Sequence, residues 1–149
     1  SCAEVFVNGM LATSHKGGYS AFACEISPLL KAGEENEIIV KADNKSRPDV
    51  IPVNHNLFGV YGGIYRPVWL VVTEPCNISV TDCASPGVYV TQKNVSKKQA
   101  DVKVKVKLDN GTLQPVPVTL QNTIYDQEGK QVATHSQSFE LSAQGELAY

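Results

Sequence analysis

General acid–base chemistry near neutral pH needs paired carboxylates, or a carboxylate beside a histidine, held in contrasting environments. Here Glu34, Glu35 and Glu37 crowd into one turn, while Asp109 and Glu128 fall in the polar hairpin loops "DNG" and "QEGK". None has the spacing of a catalytic pair, and each reads as solvated. No Ser-His-Asp order and no phosphate-cradling glycine loop occurs. His15, His55 and His135 lie far apart, and Cys2, Cys24, Cys76 and Cys83 contain no C-x-x-C. A structural zinc site is therefore not expected. The expectation is a chain with no catalytic residue, metal or cofactor of its own.

What remains is one dense stretch, "NHNLFGVYGGIYRPVWLVV" at 54–72. Three polar groups, Asn54, His55 and Asn56, stand beside two aromatics, Phe58 and Tyr61. Gly62 and Gly63 follow, then Arg66. The second half is a run of β-formers and reads as a buried strand. Two glycines at its mouth weaken regular structure, because glycine has the most backbone freedom to lose. They imply unusual dihedrals or a close approach by another group. A buried Arg66 would need a partner, since an unpaired buried guanidinium is very costly.

These residues must be positioned by a small, β-rich scaffold. The 149 residues suffice for one ordinary domain or two small ones. With 19% charged residues and a net charge of −2, neither disorder nor a polyanionic partner is favoured. No apolar run approaches the roughly 18 residues of a membrane span. "SCAEVFVNG" begins a strand almost at residue one, and "SQSFELSAQGELAY" stops where another strand would start. Both ends read as cut mid-fold, so a piece of something larger is expected.

Strands are expected at about 4–8, 19–25, 36–42, 64–73, 77–82, 87–92, 100–108, 115–126 and 131–141. "SPLLKAGEEN" holds at most one helical turn, with Ser27 as N-cap, Pro28 at the first helical position and Gly33 as the stop. Asn8-Gly9 is a two-residue hairpin signal. In "ADVKVKVKLDNGT", Val102, Val104, Val106 and Leu108 point one way and Lys103, Lys105 and Lys107 the other. No aromatics interleave with these lysines or with Lys93, Lys97 and Lys98. A solvated face is expected there rather than a nucleic-acid surface. Cys76 and Cys83 flank the short strand "NISVTD"; an extended strand holds them beyond disulfide reach, and free buried thiols are expected. Asn44, Asn77, Asn94 and Asn110 stand in Asn-x-Ser/Thr, which marks either glycan acceptors or surface loops. "TEPCN" at 73–77 divides a glycine- and aromatic-rich first half (1–74) from a second half (75–149) of evenly spaced strands, which suits an immunoglobulin-like sandwich lacking its last strands.

The phrases "AEVFVNG", "HKGGYSAFACEISPLLKAGEENEIIVKADN" and "VYGGIYRPVWL", in that order, resemble the sugar-binding-like jelly-roll domain of glycoside hydrolase family 2 over about residues 3–73. That family holds β-galactosidases, β-glucuronidases and β-mannosidases. The second half is similar to the immunoglobulin-like domain that follows in the family. The loops "HKGGYSAF" and "GGIYRPV" lean towards the β-galactosidase branch, as seen in gut Bacteroidetes. The resemblance implies an all-β fold, a jelly-roll portion followed by an immunoglobulin-like sandwich. It implies a parent enzyme, periplasmic or secreted, that cleaves glycosides by the retaining route with two glutamates on a TIM barrel. That barrel, in the same parent chain, would be the partner, with carbohydrate met through the parent enzyme and no nucleic acid or membrane involved.

The resemblance also gives the dense stretch a role. In the family the loop before "GGIYR" runs along the face that meets the barrel, and in some members an acidic residue there reaches the sugar subsite and a cation. Leu57 stands at the matching position, so the acid is missing. Asn54, His55 and Asn56 remain as groups for a sugar hydroxyl, with Phe58, Tyr61 and Arg66 as further subsite or interface candidates. Gly62-Gly63 would turn the chain sharply into the strand. Alternatively the glycine pair is a β-bulge and Arg66 pairs inside its own domain. A stand-alone carbohydrate-binding module, with Tyr19, Phe22, Phe58, Tyr61 and Tyr65 as stacking surfaces, and a purely structural or adhesion-type sandwich are the competing readings.

Overall fold

The structure is a computed structural model that describes residues 1–51, 61–143 and 145–148. Among the described residues the chain is all-β apart from a single 3-10 turn. It divides into two compact units, Ser1–Leu70 and Val71–Tyr149. No helix among the described residues is long and apolar enough to cross a membrane.

The first unit is built on a three-stranded antiparallel sheet in the order β2-β1-β3, with β1 at Cys2–Val7, β2 at Met10–Lys16 and β3 at Ile38–Asp43. Asn8 and Gly9 take φ of 51° and 81°, the left-handed pair that a tight two-residue turn needs, and Val7 faces Met10 across it. The register slips between Val5 and Phe6, a bulge that lodges Ala12 as the extra residue. Asn8 also ties the turn to the rest of the unit. Its Nδ2 donates to the Leu29 carbonyl at 2.9 Å, and its Oδ1 accepts the Glu37 N–H at 3.1 Å. Val7 is fully buried and Val50 nearly so; no other apolar side chain of this unit is buried among the described residues.

Three sequence expectations fail in this unit. Residues 19–25 form no strand; instead Phe22 stacks on His15, with ring centroids 4.5 Å apart. β1 pairs on one edge with β3 and on the other with β2, whose mixed "MLATSHK" carries no clear alternation. Its strand character comes from pairing across the Asn8-Gly9 turn. The helical turn spans Ser27–Leu29 with Ile26, not Ser27, as its cap residue; Ser27 is already inside the turn, and its N–H donates to the Glu25 carboxylate at 2.7 Å. The expected strand at 64–73 is also missing: no strand occurs anywhere in 61–75, and Val68, Trp69, Leu70, Val71 and Val72 are 60–87% exposed. A strand exists only with a ladder partner, and none of the described backbone pairs with this run.

The second unit contains β4 (Cys76–Ile78), β5 (Val88–Lys93), β6 (Asp101–Asn110), β7 (Val116–Tyr125), β8 (Gln131–Leu141) and β9 (Glu146–Ala148). β6 is the spine. β5 pairs with its first half, and β4 and β9 pair with its last residues. β7 and β8 form a separate long hairpin. The two sheets bury their facing sides in one core of Val106, Leu108 and Leu141, with Cys76, Val104, Val118, Leu120 and Phe139 packed against it. This is the two-layer arrangement of a β-sandwich. Burial along β6 is graded: Leu108 and Val106 are buried, Val104 is half-buried and Val102 is 44% exposed.

Asn110 closes the packed end. It is 2% exposed; its Nδ2 faces the carbonyls of Gln114, Leu141 and Ser142 at 2.9–3.2 Å, and its Oδ1 accepts from Thr112 N–H and Oγ1. It is therefore no surface-loop acceptor for a glycan. The cysteines are free thiols, but half-buried rather than buried, and Cys83 is exposed at a positive φ of 51°.

Candidate functional site

Gly62 and Gly63 answer to different constraints. Gly63 has φ of +98°, a backbone that side-chain-bearing residues rarely adopt. A Cβ on Gly62 would lie 3.3 Å from the side-chain amide of Asn44, just past the end of β3. One glycine serves the dihedral, the other the close approach. Neither forms a β-bulge, because no strand is present there to bulge. Tyr61 is 87% exposed and Tyr65 72%. Arg66 is exposed, not buried, and its guanidinium lies 5.8 Å from the Tyr65 ring centroid. Solvated, it needs no ion pair, and none is formed with a described carboxylate. Asn54, His55, Asn56, Leu57 and Phe58 lie outside the described residues.

A feature that sequence reading missed lies in the same unit. The ends of β2 and of the 44–51 loop meet around a shallow, open concavity of about 460 Å³, lined by Lys16, Gly17, Tyr19, Ser20, Asp49 and Ile51 among others. Lys16 Nζ and Asp49 Oδ2 are 2.9 Å apart, and Arg47 Nε reaches the other Asp49 oxygen at 3.4 Å. The Lys16 hydrogen bond holds the Asp49 carboxyl below the usual carboxylate range. Ser20 Oγ lies 3.3 Å from His15 Nε2. Lys16 and Asp49 are 33 residues apart, and only the fold brings them together.

Asp49, Asp82 and Glu25 all have lowered pKa values, through Lys16, Lys107 and Ser27 respectively as the leading cause. A general acid needs the opposite displacement. Among the described residues no group of three His, Cys, Asp or Glu side chains converges to hold a metal.

The sequence and the fold both have relatives. The family model described as "Glycosyl hydrolases family 2" matches residues 85–148. A β-glucuronidase of Bacteroides fragilis is 46% identical over 110 residues, which cover 74% of this chain and 16% of the relative. A β-galactosidase of Bacteroides ovatus is 33% identical over 146 residues, 98% of this chain and 16% of the relative. The chain thus spans about a sixth of the curated relatives it matches. A crystal structure described as a putative β-galactosidase from Bacteroides fragilis superimposes with a TM-score of 0.95 at 76% identity, covering 100% of this chain and 22% of that one. A Bacteroides uniformis β-glucuronidase structure gives 0.93 at 30% identity, covering 99% of this chain and 17% of that one. The family match in the second unit, relatives running through both units and superposition over essentially every residue lead to one conclusion: the chain belongs to glycosyl hydrolases family 2.

Proposed function

We propose that this chain is a non-catalytic, accessory β-sandwich portion of a longer family 2 glycosidase that hydrolyses terminal β-galactosides. The observation that carries the reading is the 76% identity over the whole chain to the structure described as a putative β-galactosidase. The retaining pair, about 5–5.5 Å apart in such enzymes, would lie on a TIM-barrel domain of the parent chain. The segment from Asn54 to Tyr61 would face that domain, with Asn54, His55 and Asn56 offering hydrogen bonds to the sugar.

The purified chain is expected to turn over neither nitrophenyl β-galactoside nor nitrophenyl β-glucuronide. Grafted in place of the matched region of the putative Bacteroides fragilis β-galactosidase, it should give an enzyme with the higher kcat/KM for the galactoside. A chimera that prefers the glucuronide would move the reading to that branch. Turnover by the isolated chain, abolished by replacing one of its carboxylates, would overturn the accessory role. In the chimera, Asn56→Ala and His55→Ala should each cost about 0.5–1.5 kcal/mol in kcat/KM, with little change in Tm. Wild-type kinetics in both variants would make the loop a bystander.

A further inference from the structure

We infer that the concavity between the end of β2 and the 44–51 loop binds one neutral pyranose ring, with Tyr19 against its C–H face and the Lys16–Asp49 pair at its hydroxyl edge. The inference goes beyond the function proposed above, in which the segment from Asn54 to Tyr61 meets sugar, and it uses side chains of the first unit alone. Both walls are held before any ligand arrives. On one side the Gly17 N–H donates to the Ser1 carbonyl at 2.9 Å, Ser20 Oγ lies 3.3 Å from His15 Nε2, and Phe22 stacks on the same His15 ring. On the other side Val50 is 6% exposed and pins the chain between Asp49 and Ile51. Walls assembled in advance reduce the ordering cost of binding. Over these anchors Tyr19 and Ile51 are each 74% exposed.

The polar groups select the ligand class. A carboxylate offers about four lone-pair sites and an ammonium about three donors. Asp49 accepts from Lys16 at 2.9 Å and from Arg47 at 3.4 Å, and Lys16 spends one donor on Asp49. The pair keeps spare acceptors and spare donors side by side. That suits hydroxyl groups, which donate and accept at once. An anion would meet Asp49, and a small cation would meet Lys16 and Arg47. An apolar ligand would strip water from the ion pair and return no hydrogen bond. A neutral polyol meets none of these costs. Tyr19 and Ile51 add apolar surface to the same concavity, and a pyranose is the polyol with a C–H face to lay on an aromatic ring. The volume of about 460 Å³ falls within the roughly 300–1,000 Å³ of small-ligand sites. The open mouth leaves the far face of the ring in water, so binding is weak.

Nuclear magnetic resonance titration of the isotope-labelled 149-residue chain tests this with methyl β-galactopyranoside as the probe. The amides of Gly17–Ser20 and Asp49–Ile51 should shift and saturate with a Kd of about 1–10 mM. Tyr19→Ala and Asp49→Ala should each weaken binding about tenfold, with the other resonances in place as proof of folding. Tyr19→Phe keeps the ring and should keep the affinity. Shifts that are absent, or still linear at about 100 mM, overturn the proposal. So does wild-type affinity in a folded Tyr19→Ala variant, and so do shifts centred on Tyr61 and Tyr65 instead. Methyl β-glucuronide that moves the same amides more strongly, and loses its hold in high salt, would mark an anion patch and overturn it too. The galactoside preference of the chimera is a separate measurement: its failure leaves the binding result standing, and absent binding leaves the accessory reading standing.

Discussion

Asn110 shows how one side chain can close a small sandwich. Its amide answers three carbonyls and its oxygen two Thr112 donors, at the buried end of β6. Asn110→Ala removes all of these partners, and each group left stranded in the buried part of the site costs about 1–3 kcal/mol. A loss of about 2–4 kcal/mol in urea unfolding is expected; a loss below 0.5 kcal/mol would show that the network is dispensable. Asp82 tests the charged counterpart. Lys107 Nζ lies 2.8 Å from its Oδ1, and Tyr89 donates its hydroxyl to the other oxygen. Lys107 is the first cause and Tyr89 the second of a carboxyl pKa lowered on folding. Such a group contributes stability that is whole above the unfolded carboxylate pKa, about 3.9, and is lost as pH falls through the folded value. Asp82→Asn should therefore lower Tm at pH 7, and its gap to the wild type should close below about pH 4. A gap that stays constant with pH would mean that Asp82 acts through shape rather than charge.

At the scale of elements, β6 is the strongest test of the strand reading. Val104, Val106 and Leu108 face the core while Lys103 and Lys105 are exposed. Lys105 also sits 5.9 Å from the Tyr89 ring centroid, directly across the β5–β6 ladder. Val106→Lys should destabilise the second unit by several kcal/mol, because it buries an unpaired ammonium. Lys103→Val should stay within about 0.5 kcal/mol. Equal shifts in Tm would mean that the faces are reversed. The β7–β8 hairpin repeats the logic. Thr119 and Ser138 hydrogen-bond at 2.8 Å on its polar face, and Val118 and Phe139 pair on the face that meets the core.

Across the whole molecule, the two units differ in how much core they own. Among the described residues, the first buries Val7 and Val50; the second buries Val106, Leu108 and Leu141 and packs five further apolar side chains against them. Protection against exchange follows local burial. In the isolated chain, amides of β6 should outlast those of β1 and β3 at equal pH and temperature. The reverse order would show that the first unit draws stability from contacts not visible in its core. Far-UV circular dichroism should report strand with almost no helix, in keeping with one 3-10 turn.

The sequence by itself determined the features whose causes are local. Asn8-Gly9 places the first hairpin because its dihedrals belong to those two residues. The Val/Lys alternation of β6 orients that strand because side chains alternate with period two. The all-β class follows from such patterns repeated, and the ordered motifs of the first half resemble the family by sequence alone. Tertiary structure decided what depends on distant partners. β2 is a strand because β1 lies beside it, whereas 19–25 and 64–73 have strand composition but no described ladder partner. Arg66 is solvated, so the ion pair that burial would have demanded is not required. Asn110 looked like a turn residue and is buried, because three carbonyls converge on it, two of them more than thirty residues away. Gly62 owes its lack of a side chain to Asn44, and Lys16 meets Asp49, through chain reversals that no window of sequence contains. Propensity is a property of a residue and its neighbours; burial, pairing and close approach are properties of what the fold brings alongside.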